Sequence, residues 1–178
     1  MSGEPVEPVA PVVVLVGPPG CGKTTVGTVL ASRLGAELRD TDADVVATAG
    51  KPVADVFVDE GEAHFRELEA AAVRTALAEH RGVLALGGGA VMRPETRALL
   101  AGHAVVFLEV GQHDAVKRVG LDAPRPLLIG NPRARWRELM EQRRPLYNEV
   151  ARVVVATDGL TPEQVADAVL TGLDLEKE

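Results

Sequence analysis

The stretch Gly17-Pro18-Pro19-Gly20-Cys21-Gly22-Lys23-Thr24-Thr25 constrains this chain more than any other. It follows the apolar run Val12-Val13-Val14-Leu15-Val16 and precedes a helix-like segment from Val26 to Leu34. It therefore fits G-x-x-x-x-G-K-[ST] in the setting the pattern requires, a buried strand, a glycine loop and a helix start. Glycines let the backbone close round phosphate oxygens with no Cβ in the way. The amides of Gly20, Cys21, Gly22, Lys23, Thr24 and Thr25, at a helix N-terminus, present donors and positive dipole to those anions. Lys23 is placed to reach β- and γ-phosphates, and the Thr24 hydroxyl to bind Mg²⁺. The alternative is a glycine-rich turn that binds nothing, but such a turn needs neither the Lys nor the Thr.

A length of 178 residues suits one domain, large enough to bury roughly 70% of its unfolded surface. The formal net charge of −7 disfavours a nucleic-acid-coating role. Arginines are nonetheless concentrated at 118, 125, 133, 135, 137, 143 and 144. In an acidic protein this points to small anionic ligands, the alternative being a solvated helix face. Cys21 is the only cysteine, so no internal disulfide forms, and a reducing, cytoplasmic setting is expected. Its place beside Lys23 at a helix start suits an oxidation-prone thiol, although a small loop residue is the plainer reading. Residues 1–11, rich in Pro and Glu with no basic region, read as a disordered leader, and 176–178 as a short tail. The apolar run after the leader is too short for a membrane span, so no membrane partner is expected.

Strand candidates are Val12–Val16, Glu37–Arg39, Val83–Leu86, Ala104–Val110 and Arg152–Ala156. Four are short, Val-rich, nearly continuous apolar runs, the pattern of a parallel sheet covered on both faces. Helical periodicity lies between them, most clearly from Glu60 to His80, and Thr161-Pro162-Glu163-Gln164 reads as a helix start. This alternation predicts one doubly wound α/β domain over 12–175. The piece 121–135, with Pro124, Pro126, Gly130 and Pro132, reads as a lid.

Ligands of open α/β sheets bind at the carboxyl ends of the strands. Asp40-Thr41-Asp42 follows the second strand candidate and Gly87-Gly88-Gly89 the third, so both meet the glycine loop on one rim. In extended chain, Asp40 and Asp42 would face opposite ways, one towards the Mg²⁺ region and one towards a second substrate. The alternative for the pair is helix capping over 43–49. The three glycines suit close approach of a ligand to backbone, with a flexible connector as the alternative.

The ordered set Gly17–Thr24, Asp40–Asp42, Gly61–Arg66, Gly87–Gly89, Arg125–Leu128 and Arg143–Tyr147 resembles shikimate kinase over about Val12 to Leu170. The resemblance implies a P-loop NTPase-like, three-layer α/β fold: a five-stranded parallel sheet in order 2-3-1-4-5, helices on both faces, and a lid. It implies transfer of phosphate from ATP, with Mg²⁺, to the 3-hydroxyl of shikimate in the route to chorismate and aromatic amino acids. By the same resemblance Lys23 holds phosphate, Thr24 and Asp40 organise Mg²⁺, and Asp42 binds the acceptor hydroxyl as base. Arg66 and Arg143 grip the shikimate carboxylate, Gly88 and Gly89 touch it through backbone, and Arg125 swings onto the transferring phosphate. Phe57 and Phe65 line the acceptor pocket, while Arg118 and Pro162 sandwich adenine. A monomer is expected.

The chemistry agrees independently. Paired arginines give bidentate recognition of a planar carboxylate. Arg66 alone also fits an exposed helix residue paired with Glu62 or Glu69, and Arg144 competes with Arg143 for the second role. The four histidines show no metal or triad spacing. The segment Thr157–Pro162 carries no basic residue, unlike many family members. Two rivals remain at this level: another small-molecule kinase, such as a gluconate kinase, and a nucleotide-binding protein without catalysis.

Overall fold

Runs of Val and Leu too short for helices must bury both faces at once, and a sheet flanked by helices does this. The computed structural model describes residues 9–111, 114 and 132–175. Its strands are β1 (Val13–Val16), β2 (Leu38–Asp40), β3 (Val83–Ala85), β4 (Val105–Glu109) and β5 (Val153–Ala156). All pairs are parallel, and the order is β2-β3-β1-β4-β5, as the family resemblance implies. The three central strands carry the buried core, with Val13, Val14, Leu15, Val83, Leu84, Val105, Val106 and Phe107 at zero exposure. β5 departs from the two-sided burial expected of it. It is an edge strand, and Val154 remains 47% exposed.

Parallel neighbours need crossovers, and helices supply them. The helices are α1 (Lys23–Arg33), α2 (Thr41–Ala49), α3 (Val53–Glu60), α4 (Glu62–Glu79), α5 (Pro94–Leu100), α6 (Pro132–Val150) and α7 (Pro162–Gly172). α1 packs on α7 and against the sheet. Gly27 permits that approach, since a Cβ there would lie 2.8 Å from Leu38 Cδ1. α4 is apolar on two sides. Val73, Ala76 and Leu77 face the main core, while Phe65, Leu68 and Ala72 face a smaller cluster with Val45 and Val56 from α2 and α3.

Register decides where the site lies. Asp40 pairs with Ala85 and Ala85 with Leu15, so β2, β3 and β1 end level with one another. The glycine loop, the Asp pair and the three glycines therefore leave the sheet at one rim. Asp40 closes β2 rather than following it. Asp42 is not in extended chain, as supposed from the sequence, but in the first turn of α2. The cause is local: the Asp40 side chain accepts from the Asp42 amide at 2.8 Å and caps the helix. Arg118 and Arg125 lie outside the described residues, as do 1–8, 176–178 and most of the stretch read as a lid.

α7 starts with a complete capping box. The Gln164 amide donates to Thr161 Oγ1 at 3.1 Å, and the Thr161 amide donates to Gln164 Oε1 at 2.9 Å. Thr161→Ala removes one of these bonds, and unfolding by urea should show a loss of about 1 kcal/mol. An unchanged midpoint would show that the cap contributes nothing here.

Candidate functional site

The loop after β1 is shaped by glycine. Gly20 and Gly22 have φ of 84° and 89°, in the left-handed region. A Cβ on Gly17 would lie 2.7 Å from the Leu108 carbonyl. The Lys23 ammonium turns back onto its own loop, donating to the Gly17 carbonyl at 2.6 Å and the Pro18 carbonyl at 3.3 Å. Neutral carbonyls hold a cation more weakly than phosphate oxygens do, so an anion entering the loop has a donor to take over. Thr24 Oγ1 lies 3.4 Å from Asp40 Oδ2. Asp40 thus caps α2, the alternative read for it, and also lies beside Thr24. Two hard oxygen donors side by side, next to a phosphate cradle, fit Mg²⁺, which takes few protein ligands and keeps substrate and water oxygens.

Cys21 is buried, at 1% exposure, with its sulfur packed against Gly17 and 3.6 Å from Lys23 Nζ. That burial favours the plainer reading, a small packed loop residue. A cleft of about 290 Å³ lies behind the loop, lined by Cys21, Gly22, Thr25, Thr157, Leu160 and Pro162 among others. Pro162 and the loop therefore share one cavity, as a bound nucleotide would require.

On the other side of the loop, charged side chains converge on the three glycines. A Cβ on Gly87 would stand 2.6 Å from Asp42 Oδ1 and 2.7 Å from Glu69 Oε2. One on Gly88 would stand 3.4 Å from Arg143 Nη1, and one on Gly89 only 2.2 Å from Arg66 Nη1. The glycines are not a flexible connector; they are a floor against which Asp42, Arg66, Glu69 and Arg143 pack. The Gly87 amide is fixed by the buried Thr41 hydroxyl at 3.1 Å.

Arg66 is neither exposed nor held by one acid. Its side chain is 18% exposed, bonds Glu69 at 2.8 Å and reaches Glu62 at 3.6 Å. Its guanidinium carbon lies 5.2 Å from the Phe65 ring and 6.0 Å from the Phe57 ring, which places both aromatics beside it. Arg143 is 2% exposed, whereas Arg144, Arg133, Arg135 and Arg137 are exposed on α6. The solvated-face reading therefore fits those four, and geometry favours Arg143 over Arg144. Arg143 Nε is buried without a hydrogen-bond partner among the described residues. The guanidinium lies beside Gly88, with Nη1 3.4 Å from where a Cβ would stand, and a buried cation there suits an anionic ligand.

Glu69 enters the sequence reading only as one possible partner of Arg66; it is in fact 3% exposed, bonds Arg66 and faces Gly87. A signal for it existed: Phe65, Glu69 and Val73 are spaced by four, so an acid occupies an inward position of α4. Tyr147 is the second such residue. Its hydroxyl donates to the Gly88 carbonyl at 2.5 Å.

The chain matches the family model "Shikimate kinase" over residues 19–174. It is 62% identical over 168 residues to the shikimate kinase of Streptomyces coelicolor, covering 94% of this chain and 98% of that one. It is 64% identical over 167 residues to the shikimate kinase of Streptomyces avermitilis, again covering 94% and 98%. The solved structure of shikimate kinase from Acinetobacter baumannii in complex with shikimate superposes with a TM-score of 0.87 at 35% identity, over 92% of each chain.

Burial pushes the Glu69 carboxyl above its ordinary value, with the charge and hydrogen bond of Arg66 opposing and Asp42 reinforcing. The folded carboxyl thus holds its proton more tightly than the unfolded one. Its contribution to stability is complete below about pH 4.5 and is lost as pH rises through the folded value. Glu69→Gln lacks this titration. Urea unfolding from pH 4 to pH 7 should show the variant gaining on the parent as pH rises, whereas a constant difference would mean that Glu69 is not strained by burial.

Proposed function

The chain belongs to the shikimate kinase family, and from that premise we propose how its rim moves a phosphoryl group from ATP to the 3-hydroxyl of shikimate. The observation that carries the reading is the convergence of Asp42, Arg66 and Arg143 on Gly87–Gly89, directly beside the glycine loop. In this reading the loop amides from Gly20 to Thr25 hold the triphosphate, and Lys23 leaves its own carbonyls for the β- and γ-phosphates. Pro162, with Arg118, packs the adenine in the cleft behind the loop. Thr24 and Asp40 would hold Mg²⁺, which supplies positive charge to the β- and γ-oxygens.

At the acceptor end, Arg66 and Arg143 pair with the carboxylate of shikimate. Gly88 and Gly89 meet the substrate through backbone, and Asp42 accepts a hydrogen bond from the 3-hydroxyl. As that oxygen bonds to the γ-phosphorus, the bond to the β,γ-bridging oxygen breaks and ADP leaves. Asp42 takes the proton released by the hydroxyl. The carboxylate grip sets distance and direction, so attack becomes effectively unimolecular. Arg125 adds charge to the transferring group, an interaction worth most in the transition state. The reading extends to a monomer in the cytoplasm, with one kinase domain over 12–175, a leader over 1–11 and a lid over 121–135. Among the described residues no helix is long and apolar enough to cross a membrane.

An ADP-release assay with shikimate, quinate and gluconate tests the substrate. Release should depend on shikimate, and a preference for gluconate would overturn the reading. Asp42→Asn keeps a hydrogen-bonding group but loses the base and the charge. The expected result is a fall in kcat of about 10²- to 10⁴-fold with shikimate affinity partly retained. An unchanged kcat would reduce Asp42 to a residue of the first turn of α2.

A further inference from the structure

We propose that Tyr147 is a positioning residue for the acceptor end of the site: its hydroxyl locks the Gly88–Gly89 peptide in the orientation that turns the Gly89 amide towards the substrate. The proposal rests on the reading above, in which Gly88 and Gly89 meet shikimate through backbone.

The physical case starts from the glycines. A peptide between two glycines rotates with little steric resistance, because neither neighbour carries a Cβ. A Cβ on Gly89 would collide with the Arg66 guanidinium, so a side chain there cannot stiffen the peptide. An external clamp is the remaining means. The peptide is planar and trans, so its C=O and N–H point in opposite directions. Fixing the Gly88 carbonyl fixes the Gly89 N–H, directed away from Tyr147.

Tyr147 is suited to hold that carbonyl. It is fully buried, and its ring packs on Phe107 of β4 with centroids 4.9 Å apart, so the ring is held by the sheet. Its oxygen lies 2.5 Å from the Gly88 oxygen. Burial pushes the phenol well above its ordinary value, so it remains a donor across the neutral range. A Phe would fill nearly the same volume without a polar atom to satisfy; the hydroxyl is explained by the carbonyl it meets. Tyr147 also follows Arg143 by one helical turn on α6, and Arg143 Nη1 approaches the Gly88 α-carbon. α6 therefore grips Gly88 at two points. It braces the end of the loop as well, because Glu149 pairs at 2.7 Å with Arg97, whose guanidinium donates to the Val91 and Met92 carbonyls.

The test is Tyr147→Phe in the full chain, with both substrates varied. Losing one buried hydrogen bond that orients a substrate contact should raise the KM for shikimate about fivefold to tenfold. The KM for MgATP and kcat should stay within about twofold, because the conformation of the nucleotide loop is set by its own glycines and by Lys23. A purely structural tyrosine would move both KM values together, or neither, and either result overturns the proposal. Glycine ¹⁵N labelling separates the two levels of inference. If shikimate leaves the Gly89 amide resonance of the parent unmoved, the backbone-contact reading falls and the proposal with it. If the parent signal moves but Tyr147→Phe alters neither that response nor the KM for shikimate, only the proposal falls. Should Tyr147→Phe not fold, the parent itself decides. Tyr147 is the only tyrosine, so 3-fluorotyrosine labels it alone. Its ¹⁹F resonance should shift on saturation with shikimate and not with MgATP alone; a fluorine signal indifferent to shikimate overturns the proposal.

Discussion

Four charged side chains can share this rim only because the backbone between them carries no Cβ. The space a Cβ would need is taken by Asp42 and Glu69 at Gly87 and by Arg66 at Gly89, while Pro19 and Arg143 lie against Gly88. An alanine at Gly89 would overlap the Arg66 guanidinium, and one at Gly87 would overlap two carboxylates. The demand propagates outward. With the loop stripped of side chains, its conformation must come from neighbours, and Thr41, Tyr147 and Arg97 supply it through hydrogen bonds to Gly87, Gly88, Val91 and Met92.

The same close approach governs the electrostatics. Two guanidiniums and two carboxylates within reach of three glycines form a nearly balanced group, which lowers the cost of removing each from water. The balance is not complete. Glu69 is spent on holding Arg66, and its carboxyl is pushed up by burial despite that partner. Arg143 keeps a buried Nε unmatched. An unmatched buried donor is unfavourable, so Arg143 is held there at a cost in stability. Asp42 is held in the first turn of a helix whose cap is Asp40, on the same side of Gly87 as Glu69.

What the sequence disclosed, and what it hid, follows from how local each feature is. The glycine loop, its strand and its helix are consecutive, and their chemistry is written in residue types, so Lys23 and Thr24 were legible at once. The capping box at Thr161 is equally local, and both of its bonds form. Sheet order came from family resemblance, because strand order depends on crossovers that no short pattern encodes. Asp42 was misplaced because a side chain two residues back caps the helix, ending β2 at Asp40 and starting α2 one residue later. Arg143 and Arg144 looked equivalent in the chain; a rotation of 100° about α6 buries one and exposes the other. Tyr147 went without a role because its partner, Gly88, is distant in sequence, and Glu69 was seen only as a possible partner of Arg66, its burial against Gly87 being set by the tertiary fold. Only their inward helical positions hinted at it.

The two halves of the site therefore differ in kind. The phosphate cradle is built from one short stretch, its shape set by φ angles and a single strand-to-helix turn, while the cleft beside it also draws on Thr157, Leu160 and Pro162. The acceptor half is assembled from α2, α4, the glycine loop and α6, elements separated by up to a hundred residues of chain. Local structure survives partial opening of a fold, and assembled structure does not. Any loosening of α6 from β4 would release Arg143 and Tyr147 together and leave the Gly88 carbonyl without its donor. The shape of the phosphate cradle is in this sense a property of the loop, whereas the rim around Gly87–Gly89 is a property of the whole fold.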